Sequence, residues 1–579
     1  MQKHCSSEKS VQLLISLLKQ HGIKKIIASP GTTNITFVGS AMHDPWFEIY
    51  SSVDERSAAY MACGLSETSG EPVVLTCTGA TASRNYMPGL TEAYYSKLPV
   101  LAVTASQDFN RVGNLQPQVL DRSRVPVDVA KKSFTIPAIT EDSEIRPIEL
   151  KLNDALLELR RHGGGPVHLN FMTTYSRDFT VEEPLKANKI DRLTKIGDDV
   201  KILEGKVAIF VGRHKKMDKA LTEAIDAFCG TNDAVVMCDH TSGYYGKYRV
   251  GMSLAFDQRG RWTELRTPDL LIHIGEVSGD YATLSIDPKQ VWRVSEDGEL
   301  RDTFGKLTKV FEMPELDFFQ KFGNAGDSKD SLLKQYQEED RQTRELIPEL
   351  PFSNPWIAQH AAHKFPKGAL VHLGILNSLR NWNYFEFPEG VDSQCNVGGF
   401  GIDGISSTLL GASLADRNRL CFGIIGDLAF FYDLNSLGNR HLGNNVRIML
   451  INNGCGTEFH NYNHPGATFE EEACDYIAAD GHFGAKSPNL VRHYAEDLGF
   501  EYLTASNKEQ FEAVIDRFMS AEAADKPMLL EVFTNSKDES DALQTIQGLR
   551  EPPRNAIKDA ARTILGEKGI KAIKKVMGK

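Results

Sequence analysis

An aspartate, a pair of asparagines, a glycine-rich run and one glutamate are the residues whose types and spacing point to chemistry. Gly426-Asp427-Leu428 stands at the end of the apolar run CFGII, and Asn452-Asn453 closes VRIMLIN, the second Asn lying 26 positions after the aspartate. One strand–helix–strand crossover spends about thirty residues, so both strand ends fall side by side at the carboxyl edge of one parallel sheet. A carboxylate, an amide oxygen and a nearby backbone carbonyl are hard ligands suited to Mg²⁺, which prefers to be shared with a diphosphate. Taken alone, the same residues also suit a sharp strand-end turn and an Asn-rich loop. Upstream, NVGGFGIDGISST (396–408), with Gly401 and Ile402 at its centre, precedes the apolar stretch LLGASLA. Its N–H groups fit phosphate oxygens at a helix start, and a plain glycine-rich turn is the simpler alternative. Glu55, in VDERS (53–57), sits where a strand gives way to a helix; a Glu there ordinarily complements the helix dipole.

The elements that must carry these residues are short β-branched runs, each followed by a helical pattern, which signals parallel α/β sheets. Strands are expected at 23–29, 48–53, 72–77 and 100–105, then at 206–212, 234–238 and 270–275. A third set is expected at 369–373, 420–425, 446–451 and 528–532. Polar or Pro-bearing stretches near 182–191 and 348–354 read as linkers. The expected fold class is therefore α/β, with three doubly wound parallel-sheet domains spanning 1–182, 190–345 and 352–538. A basic amphipathic tail, 539–579, follows them.

The chain has 579 residues and a net charge of −12, which argues against general nucleic-acid binding. No window reaches the ~20 uninterrupted apolar residues of a membrane helix. Nine cysteines are scattered singly without metal-ligand spacing, as a reducing compartment permits, so a cytoplasmic location is expected. The first residues read as an amphipathic helix rather than a signal peptide. Residues 550–579 differ from the body, carrying nine Lys or Arg and three Asp or Glu. Docking onto the body or a partner is the favoured reading of this tail, with contact to an anionic membrane surface as the alternative.

At this point the sequence resembles a known family. ASPGTTN, VDERSAAYMACGL, TCTGATASRNYMPGLTEAYYSKLPVLAVTAS, GFGIDGISSTLLG and GDLAFFYDLNSL look like the thiamine-diphosphate enzymes of the acetolactate synthase and pyruvate decarboxylase superfamily. Within it they look most like the menaquinone-pathway synthase that joins 2-oxoglutarate to isochorismate. The resemblance implies a pyrimidine-binding domain, a central Rossmann-like domain and a diphosphate-binding domain. It also implies a homodimer or homotetramer with active sites at the subunit interface. Glu55 matches the activating carboxylate, which favours the imino tautomer that takes the thiazolium proton. Asp427 and Asn453 match Mg²⁺ ligands, with the carbonyl of Cys455 as a third. Ile402 matches the bulky residue that bends the cofactor, Asn377 and Ser378 match a pair near the diphosphate, and Gly401 belongs to the same cofactor-binding stretch. Gln118 matches a glutamine facing the reacting centre, and Phe459 matches an apolar wall. Leu428 departs from the family signature, which has Gly there.

Other departures bear on the substrate. The synthase grips carboxylates with arginines, and the corresponding positions here are Thr33, Gln107 and Val397; each lost clamp removes a strong bidentate contact. Arg84 and Arg380 are substitutes to consider. Glu458, His460 and His464 are placed to relay protons, with His460 carried forward as a catalytic candidate and exposed loop positions as the plainer reading. The expected activity is decarboxylation of a small 2-oxo acid and transfer of the acyl anion to an aldehyde or ketone acceptor. A simple 2-oxo acid decarboxylase and the menaquinone-pathway synthase itself are the alternatives. FAD is not expected, because GRHKKMDK rather than GxGxxG follows the first strand of the middle segment.

Overall fold

The computed structural model describes residues 3–260, 263–522 and 524–551. Most of the tail expected at 539–579 therefore lies outside the described residues. Three sheets, all parallel, organise the chain in two compact units: 1–194 with 298–312, and 195–297 with 313–579. No helix among the described residues is long and apolar enough to cross a membrane.

The first unit holds β1 (Lys25–Ala28), β2 (Glu48–Ser51), β3 (Val73–Thr78), β4 (Val100–Ser106), β5 (Lys132–Ile136) and β6 (Val167–Met172) in the order β2-β1-β3-β4-β6-β5. Successive side chains of a strand face opposite ways. Val74, Leu101 and Val103 accordingly enter one core cluster, whereas Val73, Leu75, Val100 and Ala102 enter another on the opposite face. That two-sided burial explains why the runs read as continuously apolar. β7 (Asp191–Leu193) pairs with β13 (Leu307–Glu312) in the same unit.

The second unit holds β8 (Val207–Val211), β9 (Val235–Cys238), β10 (Arg249–Gly251), β11 (Leu270–Ile274) and β12 (Val291–Ser295), ordered β10-β9-β8-β11-β12. It also holds β14 (Leu370–Leu373), β15 (Asp392–Cys395), β16 (Cys421–Gly426), β17 (Val446–Asn452), β18 (Glu501–Ala505) and β19 (Met528–Phe533), ordered β15-β14-β16-β17-β19-β18. Phe422, Ile424, Met449 and Ile451 bury on one face of this sheet and Cys421, Ile425, Ile448 and Leu450 on the other. The helix Ser536–Gln547 packs Leu543 and Ile546 into the former core, so residues from 539 onward begin as part of the body.

Candidate active site

Strands β16 and β17 pair in register with Gly426 beside Ile451, so the aspartate and the asparagines that follow emerge together, as the 26-residue spacing required. Asp427 opens the helix Asp427–Tyr432 and is 5% exposed. Its Oδ1 accepts the Leu428 N–H at 2.9 Å and its Oδ2 the Gly454 N–H at 2.8 Å. Burial pushes this carboxyl up to about 7.

The two asparagines divide their work. The Asn452 amide turns into the sheet and donates to Glu531 Oε1 at 2.7 Å, while the Tyr502 hydroxyl donates to Glu531 Oε2 at 2.8 Å. Asn453 instead lines a cavity of about 180 Å³. Asp427, Leu428, Cys455, Phe459, Ile402, Asn377 and Ser378 line it too. The Cys455 carbonyl accepts the Thr457 N–H at 3.0 Å, which leaves one of its two lone pairs for another partner.

Gly401 and His460 are not brought to this cavity. Gly401 sits against the Asp403 side chain, and the His460 Nε2 lies 3.8 Å from Cys474 Sγ. The glycine run that contains Gly401 ends at Gly404, in left-handed conformation with φ 74°, and starts the helix Ile405–Ala415.

A residue that spacing alone does not reveal is Glu539, in the first turn of the helix Ser536–Gln547. It is 4% exposed, lines the cavity and accepts the Thr534 hydroxyl at 2.6 Å and the Asn354 N–H at 3.2 Å. Burial raises it to about 7 as well. Thus Asp427 and Glu539 share with Glu458 one cavity that has no Lys, Arg or His in its lining. Among the described residues no group of three His, Cys, Asp or Glu side chains forms a metal site. A cation here would rest on one carboxylate, one amide and backbone oxygen, the donor set Mg²⁺ accepts when phosphate completes its shell. The residues present fit that group.

Leu376, immediately before the helix Asn377–Asn383, has φ 65° and ψ −116°, a backbone conformation a leucine rarely adopts. It lines the cavity and packs against the core. At the cavity rim Arg380 and Glu458 form a bidentate pair, both contacts at 2.9 Å, so the Arg380 charge is already matched. His464 does not approach this cavity either; its Nδ1 accepts the Gly466 N–H at 3.0 Å.

The first unit carries Glu55 at the start of the helix Glu55–Ser69, capped by Asp54, whose Oδ1 accepts the Ser57 N–H at 2.7 Å. The glutamate is half-buried, and its Oε2 accepts the Asn85 amide at 3.3 Å. Gln118 is exposed, with φ 65°. Thr33 is 4% exposed and its hydroxyl reaches Thr78 Oγ1 at 2.5 Å and the Ala105 carbonyl at 2.8 Å. Arg84 donates to the Asp121 carbonyl at 2.9 Å. Arg122, a residue the sequence reading passed over, is buried; it donates to Asn170 Oδ1 at 3.0 Å, while its Nε and Nη1 have no partner. In the second unit Val397 is fully buried in the core.

Residues 9–125 match the family model of the thiamine pyrophosphate enzymes, N-terminal TPP binding domain. The 2-succinyl-5-enolpyruvyl-6-hydroxy-3-cyclohexene-1-carboxylate synthase of Bacteroides fragilis is 30% identical over 575 residues, covering 93% of this chain and 98% of the relative. The synthase of the same name from Bacteroides thetaiotaomicron is 30% identical over 580 residues with the same coverages. Among solved structures, the thiamine diphosphate-dependent 4-hydroxybenzoylformate decarboxylase of Rhodococcus jostii RHA1 covers 91% of this chain and 99% of its own, at 18% identity and TM-score 0.39. On the strength of the near full-length synthase relatives and the match at residues 9–125, the chain belongs to the thiamine-diphosphate-dependent enzyme family, alongside those synthases.

Proposed function

We propose that the chain is a Mg²⁺- and thiamine-diphosphate-dependent carboligase that decarboxylates a small 2-oxo acid and transfers the acyl group to an aldehyde or ketone. The observation that carries this reading is the acidic cavity at the β16–β17 edge, where Asp427 and Glu539 are buried without a basic side chain in the lining. In it Asp427, Asn453 and the Cys455 carbonyl would hold Mg²⁺, and Asn377 and Ser378 would bind diphosphate oxygens. Ile402 and Phe459 supply apolar walls that exclude water, which strengthens every charge interaction inside. When bound, the cofactor supplies a stabilised carbanion equivalent at its thiazolium carbon. Glu55 would hold the proton that sets the tautomer of the aminopyrimidine. Gln118 would face the reacting centre, and the enzyme would work as a homo-oligomer.

Buried Thr33 and Val397 argue for substrates other than those in the relatives' names, since neither position presents a charge. The test is a panel of 2-oxo acids with thiamine diphosphate and Mg²⁺, following CO₂ release and product mass with and without carbonyl acceptors. Acceptor-dependent products of higher mass are expected. CO₂ release with the free aldehyde as sole product in every case would reject transfer, and no CO₂ from any donor would reject the reading altogether.

A further inference from the structure

In the first unit, Arg122 is a buried cation that meets no carboxylate. It is 3% exposed, and its Nη2 donates to Asn170 Oδ1 at 3.0 Å. Its Nε and Nη1 have no hydrogen-bond partner among the described residues. The guanidinium lies in a space kept open for it. Residue 79, just after β3, is a glycine, and a Cβ there would stand 1.8 Å from Arg122 Nη1 and 3.1 Å from the Ala105 carbonyl oxygen. Burial and the neighbouring Arg84 both pull Arg122 below the usual guanidinium range. The Cys77 thiol is no counter-ion, because burial pushes it up to about 12 and keeps it neutral. A guanidinium taken out of water with no anion beside it is expensive to hold.

Arg122 lines a cavity of about 10 Å³ together with Ser83, Arg84, Thr104, His168 and four apolar side chains. No Asp or Glu is among the lining residues. Arg84, on the exposed side, donates to the Asp121 carbonyl at 2.9 Å. The Asp121 carboxylate itself turns away, to the Ser123 N–H and hydroxyl at 2.9 and 2.7 Å. His168 adds no charge of either sign. Its ring nitrogens are held by Thr104 and Ser133 at 2.8 and 2.7 Å, and burial, helped by the two arginines, drives it down to about 3. The cavity therefore gathers two positive charges and no lining group of opposite sign.

Size narrows the ligand. The volume is about that of one water-sized species, too small for a 2-oxo acid or a phosphate. Water would satisfy the N–H groups and leave both charges unmatched, whereas a monatomic anion does both. Apolar walls strengthen that attraction. We propose that Arg122 and Arg84 form a binding site for one monatomic anion, a halide such as chloride. The anion accepts from Nε and Nη1 of Arg122 and offsets the repulsion between the two guanidinium groups. It thereby ties the segment that carries Gln118, four positions before Arg122, to the short helix Thr81–Asn85. The Asn85 amide of that helix donates to Glu55 at 3.3 Å, so the anion braces the surroundings of the glutamate.

The experiment melts the full chain in sodium chloride, sodium bromide and sodium gluconate at matched ionic strength, gluconate being too bulky for the cavity. Chloride and bromide are expected to raise Tm saturably by about 2–4 °C over gluconate. Crystals grown in bromide should show an anomalous peak within hydrogen-bond reach of Arg122 Nε and Nη1. Arg84→Gln, at an exposed position, is expected to raise the chloride concentration of half effect by about 10-fold. Arg122→Gln should abolish the halide response, and Arg84→Gln carries the test if that variant does not fold. Equal melting in chloride and gluconate, a site without anomalous signal and so holding water alone, or an unchanged halide response in Arg84→Gln overturns the assignment. Melting and diffraction need no turnover, so their outcome is separate from that of the carboligase reading.

Discussion

The carboxyl edges of the first and third sheets treat a carboxylate in opposite ways. At the first, Glu55 is half-buried at a helix start, with one amide contact, and remains free to meet a ligand. At the third, Asp427 and Glu539 are enclosed, each tied to backbone N–H or hydroxyl donors and each raised to about 7. The first edge presents an acid; the third withholds two from water in a cavity without a matching cation. On the proposed reading the first edge would handle a proton and the third would hold a cation, although both grow from the same parallel-sheet geometry.

Glu55→Gln tests that contrast most severely. It should cut turnover by about 10²- to 10⁴-fold, while thiamine diphosphate binding, followed by fluorescence quenching or calorimetry, changes only a few-fold. Equal losses in both would erase the distinction. Asp427→Asn should do the reverse, weakening Mg²⁺-dependent cofactor binding by on the order of 100-fold, with calorimetry in the presence and absence of Mg²⁺ as the readout. Asn453→Ala should weaken the same binding by about 10-fold.

Asn452→Ala sharpens the comparison within one motif. It removes one of the two donors to the buried Glu531 carboxyl and should cost about 1–3 kcal/mol in denaturant unfolding, with cofactor affinity nearly unchanged in the folded protein. Indistinguishable phenotypes for the two asparagines would refute their division of labour. The smallest effect is on pH dependence. Carboxyls whose folded pKa is raised stabilise the fold at low pH, and that contribution is lost as pH climbs through about 7. The cofactor-free protein should therefore melt at progressively lower temperature between about pH 4 and pH 7, and Mg²⁺ with cofactor should offset the loss above pH 7. A flat profile would show that these two groups are not buried as described.

Much of the architecture was legible because central parallel strands are apolar on both faces. All eleven expected strands exist, within two residues at each end. Those missed have identifiable causes. β15 (DSQC), β18 (EYLTA) and β5 (KSFTI) are edge strands with one polar flank. β6 hides His168, which burial drives down to about 3 and which is held by Thr104 and Ser133 at 2.8 and 2.7 Å. β12 carries Arg293, buried and donating to the Gly275 carbonyl at 3.1 Å. Such partners come from distant positions, so a local pattern does not announce them. At the candidate site, strand-end spacing brought Asp427 and Asn453 together, whereas Glu539 escaped notice because burial alone distinguishes it from a surface carboxylate. Spacing likewise gave no means of telling Asn452 from Asn453, or of seeing that His460 turns toward Cys474.

The backbone at Leu376 has a kinetic consequence. A leucine held at positive φ carries roughly 1–3 kcal/mol of strain, and this one packs against the core. The wall it shapes is accordingly ready before anything arrives. Uptake of the coenzyme at this edge should be a fast, single-phase event governed by encounter, and Leu376→Gly, by slackening the wall, should introduce a slower second phase.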